Sequence, residues 1–138
     1  LHGELEGTSP KAIVLLIGAD NLRAGNTPGQ TAEGIVECVR ALHGAAPQAQ
    51  VFVYGVFPFG EKASDPCRAR VKETNARVAE ALAADAKATF RDIGGKFLDA
   101  NGDLPKDVMH DFLHPTAKGY AIWEEAILSD LSSRPPGK

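Results

Sequence analysis

Near the end of the chain, Asp111-Phe112-Leu113-His114 sets a carboxylate and an imidazole three residues apart, directly ahead of Pro115. On one helical turn, side chains at i and i+3 lie on the same side. A carboxylate so placed accepts a hydrogen bond from one imidazole nitrogen and fixes the tautomer. The other nitrogen is then free to take a proton from a nucleophile. The same spacing occurs at Asp107 and His110, so spacing alone does not choose between the pairs. The later pair is preferred because it abuts a helix that Pro115 starts, a rigid element able to hold the imidazole. An Asp capping a turn beside a surface His would meet the same spacing without any chemistry. His110 is then read as a pocket-wall or solvent residue, and His2 and His43 as surface positions. The histidines and acids show no metal-ligand spacing such as His-Glu-x-x-His. Gly25 and Gly29 lie in a polar loop without the Lys-Ser/Thr pair of a phosphate-binding loop. No metal and no cofactor is therefore expected.

The elements that must position this pair alternate along the chain. Residues 11–17 are a continuous apolar strand ending at Gly18, the pattern of a strand buried on both faces of a parallel sheet. Residues 31–43 carry Ile35, Val36, Val39 and Leu42 at helical spacing, stopped by Gly44 and Pro47. Residues 51–56 are a second buried strand, and a loop rich in Pro, Gly and charge runs from Phe57 to Cys67. Residues 68–84 read as an amphipathic helix through Val71, Val78 and Leu82, and residues 88–93 as a third strand. Residues 94–114 are irregular, with turn signals at Gly94-Gly95 and Asn101-Gly102. Pro115 opens a last helix through Tyr120, Ile122, Trp123, Ala126 and Leu131, and residues 132–138 read as a disordered tail.

Strand, helix, strand, helix, strand, loop, helix is the order of an α/β fold with a parallel sheet. Sites in such sheets lie at the C-terminal ends of the strands. Gly18-Ala-Asp-Asn21, Phe57-Pro-Phe-Gly-Glu61 and the loop before the last helix are the segments expected there. Three strands make a thin sheet, and an apolar first strand left at an edge would offer unpaired backbone to other chains. More sheet is expected from an upstream segment or a second chain; a small domain with its edge covered by a loop is the plainer alternative.

Taken together, these segments resemble the SGNH/GDSL hydrolases, and most closely their platelet-activating factor acetylhydrolase-like branch. The likeness runs from Gly3-Glu4-Leu5-Glu6 through Pro10-Lys11 and Gly18-Ala-Asp-Asn21 to Pro47-Gln-Ala-Gln50. It continues in Phe57-Pro-Phe-Gly-Glu-Lys62, His110-Asp-Phe-Leu-His114 and Gly119-Tyr120. The resemblance implies a flavodoxin-like sheet and Ser-His-Asp hydrolysis of small acyl esters. Asp111 would orient His114, and His114 would act as base and then as acid. The family's nucleophile block, Gly-Asp-Ser, and its second block belong upstream and are absent here. Ser9, Ser64, Ser129, Ser132 and Ser133 all lack that context. In Gly18-Ala-Asp-Asn21 the family places an oxyanion-holding Asn where this chain has Asp20. Asn21 could take that role if the turn is shifted by one residue, or Asp20 could be protonated in a dry site; Gly18 stays in place, and Phe57 and Phe112 could line an apolar substrate pocket. An assembly subunit that keeps the scaffold without catalysis is the alternative, since the resemblance also implies dimers and partner proteins. A receiver-like domain using Asp20 and Asp92 is weaker, because no lysine follows a later strand in the required place.

The bulk properties fit. The chain has 138 residues, 43% hydrophobic and 24% charged, enough for one domain with a core. A net charge of −3 argues against nucleic acid as the main partner. No apolar run approaches the about 18–20 residues of a membrane span. Cys38 and Cys67 are too few for a disulfide framework and read as a buried thiol and a loop thiol. The Leu1-His2-Gly3-Glu4 start carries no signal-peptide pattern, suggests a start within a longer gene, and leaves the compartment open.

Overall fold

The computed structural model describes residues 3 and 5–133. Strand β1 is Ala12–Leu15, followed by the short helix α1 (Ala19–Arg23) and the long helix α2 (Pro28–Ala45). Then come β2 (Gln50–Tyr54), α3 (Pro66–Leu82), β3 (Ala88–Arg91), a 3-10 turn over Gly94–Phe97, and α4 (Ala117–Ser132). The strands form one parallel sheet in the order β1-β2-β3, with Ile13 opposite Val51 and Val51 opposite Ala88. The chain therefore has the α/β architecture with a parallel sheet and flanking helices.

Alternation along β2 explains the layers. Val51 and Val53 point into a core with Ile35, Val39 and Leu42 of α2 and Val71 and Val78 of α3. Phe52 and Tyr54 point the other way, toward Phe97, Met109 and the inner face of α4. Both faces of the central strand are dry, which is why its sequence is an unbroken apolar run. β1 is different. It pairs with β2 on one side only, and Val14 and Ile17 remain 36% and 38% exposed. On α4, Tyr120, Leu128 and Leu131 are exposed as well. The first strand is thus an apolar edge among the described residues.

Several element ends differ from the pattern-based reading. α2 begins at Pro28 because Thr27 caps it in a capping box: the Gln30 amide donates to Thr27 Oγ1 and the Thr27 amide to Gln30 Oε1. Residues 18–21 are not all loop. Gly18 sits at φ 113 and turns the chain into α1, which the apolar periodicity of only five residues could not announce. Pro115 does not open α4. Thr116 caps it by accepting from the Gly119 amide, while Pro115 bridges to Met109. α4 runs to Ser132 with Ser133 as its cap, so Ser132 and Ser133 are not part of a disordered tail; residues 134–138 lie outside the described residues. Cys38 is exposed on α2, and Cys67 is half-buried in the first turn of α3, where its thiol donates to the Phe59 carbonyl at 3.0 Å. Neither matches the expectation of a buried and a loop thiol: Cys38 lies off the buried Ile35, Val39 and Leu42 face of α2, and α3 starts at Pro66, ahead of Cys67.

Candidate functional site

The C-terminal ends of β1 and β2 open onto a cavity of about 350 Å³. Its walls come from three stretches: Ile17 to Asn21 after β1, Val56 and Phe57 after β2, and Leu113 with Pro115 before α4. Tyr120 and Trp123 of α4 close it from the side. They lie three residues apart on one helix face, with ring centroids 6.4 Å apart. The Trp123 indole nitrogen is buried there and has no hydrogen-bond partner among the described residues.

Neither Asp111 nor His114 lines this cavity; Leu113 and Pro115, which do, bracket His114 in sequence. His114 Nδ1 lies 2.6 Å from Asp111 Oδ2. The other carboxylate oxygen, Oδ1, accepts from the backbone amides of His114 (2.8 Å) and Leu113 (3.1 Å). The hydrogen bond from the His114 ring, then that from the His114 amide, hold the Asp111 carboxyl far below the usual carboxylate range. An ionised carboxylate only accepts, so Nδ1 carries the hydrogen, and in the neutral ring Nε2 is the nitrogen with the lone pair. Among the described residues Nε2 of His114 makes no hydrogen bond, and the side chain is 67% exposed. The pair can therefore accept a proton from a group brought to Nε2.

The competing pair does not form. Asp107 binds Lys118 Nζ at 2.7 Å, and this contact lowers its carboxyl. His110 instead lies near Asp111, with Nε2 3.9 Å from Oδ2, too long for a hydrogen bond. His43 is not a surface position: it is half-buried, and its Nε2 meets Asp85 Oδ2 at 2.9 Å. His2 lies outside the described residues.

Asp20 and Asn21 stand in the first turn of α1 and both line the cavity. Asp20 is ion-paired with Arg23 at 3.1 Å on a well-exposed surface. Gly18 is buried at the root of this turn; a Cβ there would meet Val56 at 3.0 Å and Thr31 and Ile35 at 3.1 Å. Phe57 lines the cavity and packs at 4.4 Å on Phe97. Phe112 does not line it; its ring lies under Lys106 Nζ, 5.5 Å from the centroid. Leu113, Tyr120 and Trp123 complete the walls but do not stand out by residue type. Only the 120/123 spacing toward one face could have signalled the last two. Among the described residues no group of three or more His, Cys, Asp or Glu could hold a metal ion, and no helix is long and apolar enough to cross a membrane.

Comparison with known proteins bears on the family and the fold. The model of the GDSL-like lipase/acylhydrolase family matches residues 1–122. Rat platelet-activating factor acetylhydrolase IB subunit alpha2 is 37% identical over 120 residues, 87% of this chain and 51% of the relative. Human subunit alpha1 of the same enzyme is 34% identical over 119 residues, 86% of this chain and 50% of the relative. The chain thus spans about half the length of the curated relatives it matches. A Streptococcus pneumonia structure named for platelet activating factor superposes with a TM-score of 0.79 at 17% identity, over 88% of this chain and 59% of its own. A GDSL-like lipase from Bacteroides thetaiotaomicron superposes with a TM-score of 0.74 at 20% identity, over 89% of this chain and 62% of its own. These two likenesses speak for the fold. By family model and by sequence, the chain belongs to the GDSL-like lipase/acylhydrolase family.

Proposed function

We propose that this chain is the acid–base half of a carboxylic-ester hydrolase that cleaves small acyl esters through a Ser-His-Asp triad. The observation that carries the reading is the 2.6 Å Asp111–His114 contact beside a cavity at the strand ends, with Nε2 unengaged. Asp111 holds the tautomer. His114 takes the proton of a serine hydroxyl as that oxygen attacks the acyl carbon, then gives it to the departing alcohol. The acyl-enzyme is next opened by water, with His114 again removing and returning one proton. The serine comes from an upstream segment or a second chain, which also adds sheet to the open edge of β1. Gly18, Asp20 and Asn21 form the oxyanion side. Asn21 supplies the donor, because an ionised Asp20 would repel the developing charge. Phe57 forms part of the apolar pocket, and Phe112 supports it from behind the Asp111–His114 turn.

The test uses the intact protein, whatever polypeptide supplies the serine. Turnover of p-nitrophenyl acetate and rapid covalent labelling by a fluorophosphonate are expected. His114→Ala removes both, with a fall in kcat of about 10⁶-fold as for other triad histidines. Undiminished turnover in that variant overturns the assignment. An intact protein that neither labels nor turns over favours the non-catalytic assembly subunit instead.

A further inference from the structure

Phe112 is the one non-glycine residue with a positive φ (57°) among the described residues. A bulky side chain in the left-handed region is an outlier, kept only where the surroundings over-determine it. Here they do. The Phe112 amide donates to the Met109 carbonyl and the Phe112 carbonyl accepts from the Gly60 amide, each at 3.0 Å. Gly60 is itself at φ 87, and a Cβ on it would lie 2.6 Å from Cys67 Sγ and 2.8 Å from Asp65 Oδ2. Only glycine brings a backbone N–H into that place. The loop after β2 is thereby tied to the turn that carries the acid and the base.

The consequence falls on the next two residues. With Phe112 left-handed, the Leu113 and His114 amides both turn back onto Asp111 Oδ1, at 3.1 and 2.8 Å. Successive N–H groups after such a turn make a concavity that holds an anion. Oδ2 is left for the imidazole at 2.6 Å.

We infer that Phe112 is a positioning residue: its left-handed backbone, clamped by the Gly60 N–H, aims the Leu113 and His114 amides at Asp111 and so seats the imidazole on the carboxylate. Its catalytic meaning rests on the hydrolase reading above; its structural effect does not.

The experiment separates backbone from ring and needs no substrate. The Asp111 carboxyl is titrated by carbon-13 NMR in the full chain and in two variants. Phe112→Gly removes the ring but favours the left-handed conformation, and the low Asp111 midpoint is expected to persist. Phe112→Val keeps an apolar side chain but resists that conformation, and the midpoint is expected to rise toward the ordinary value of about 3.9. If circular dichroism shows the Val variant unfolded, Phe112→Ala replaces it with less bulk and the same conformational bias. A midpoint that stays low with Val or Ala, or rises equally with Gly, overturns the proposal. Failure of the hydrolase reading would show in the turnover of the parent protein and would leave this titration unchanged.

Discussion

Two Asp–His pairs sit at different places in this molecule, and they are built for different ends. Asp111 and His114 are neighbours in sequence, 2.6 Å apart, with side chains 40% and 67% exposed, in the turn whose Leu113 lines the cavity. Asp85 and His43 come from the turn after α3 and the last turn of α2, 2.9 Å apart, and are 28% and 23% exposed. In the first pair Nδ1 meets the carboxylate and Nε2 is left open. In the second, Nε2 meets the carboxylate and Nδ1 is buried without a partner. A hydrogen-bonded carboxylate and imidazole are common to both. Only an accessible second nitrogen beside a space for substrate makes a base of one of them. The other is a pin between two elements.

The sharpest way to break this contrast is to neutralise the two acids in turn. Asp111→Asn keeps the shape but offers His114 an amide that can hold the wrong tautomer. In the intact protein kcat is expected to fall by about 10⁴-fold, with KM changed little. Asp85→Asn is expected to leave kcat within about twofold, because that pair has no open nitrogen toward the cavity. Steady-state ester hydrolysis of both variants decides it; equal losses would erase the distinction.

A smaller effect concerns the opposite wall of the cavity. If Asn21 is the oxyanion donor, Asn21→Ala costs about 10²–10³ in kcat. Asp20→Asn then gains, by removing a charge that repels the oxyanion. Asp20 is well exposed and shares its charge with Arg23 at 3.1 Å, so solvent and the guanidinium moderate that repulsion. The expected gain is about tenfold or less. Measured at low and high salt, it should shrink with ionic strength. A loss in Asp20→Asn would mean that Asp20 itself acts in the site.

The same contrast shows what could be read from sequence. The Asp111–His114 pair was legible because both residues lie in one turn. The repeat at Asp107 and His110 was not separable by spacing; it took Lys118, eleven residues on, to remove Asp107 from the competition. Asp85 and His43 are 42 positions apart, and no local pattern joins them. The strands were visible because β2 is buried on both faces, and the apolar edge of β1 followed from strand count. Helix ends were off by the length of a cap: Thr27 and Thr116 set them through side-chain oxygens rather than through apolar period. Tyr120 and Trp123 became cavity walls only because α4 leaves that face uncovered, a property of packing and not of the helix's own sequence.

The weakest expected effect tests whether the second pair is only a pin. Desolvation pushes the Asp85 carboxyl up, but the Lys87 amide and the His43 ring outweigh it, and the net shift is downward. A carboxyl whose folded value lies below its unfolded value binds fewer protons when folded. Its stabilisation is complete above the unfolded value of about 3.9 and is lost as pH falls through the lower folded value. Urea unfolding of the parent and of Asp85→Asn should therefore differ at neutral pH by about 1 kcal/mol or less, the range of a partly exposed carboxylate–imidazole contact. The two curves should converge as pH falls below the lowered Asp85 midpoint. Asp111→Asn converges only in stronger acid, because the Asp111 carboxyl is held further down, and it carries the kcat loss besides. A gap between parent and Asp85→Asn that survives at pH 2 would assign the effect to packing at the α2–α3 end of the sheet rather than to the ionised pair.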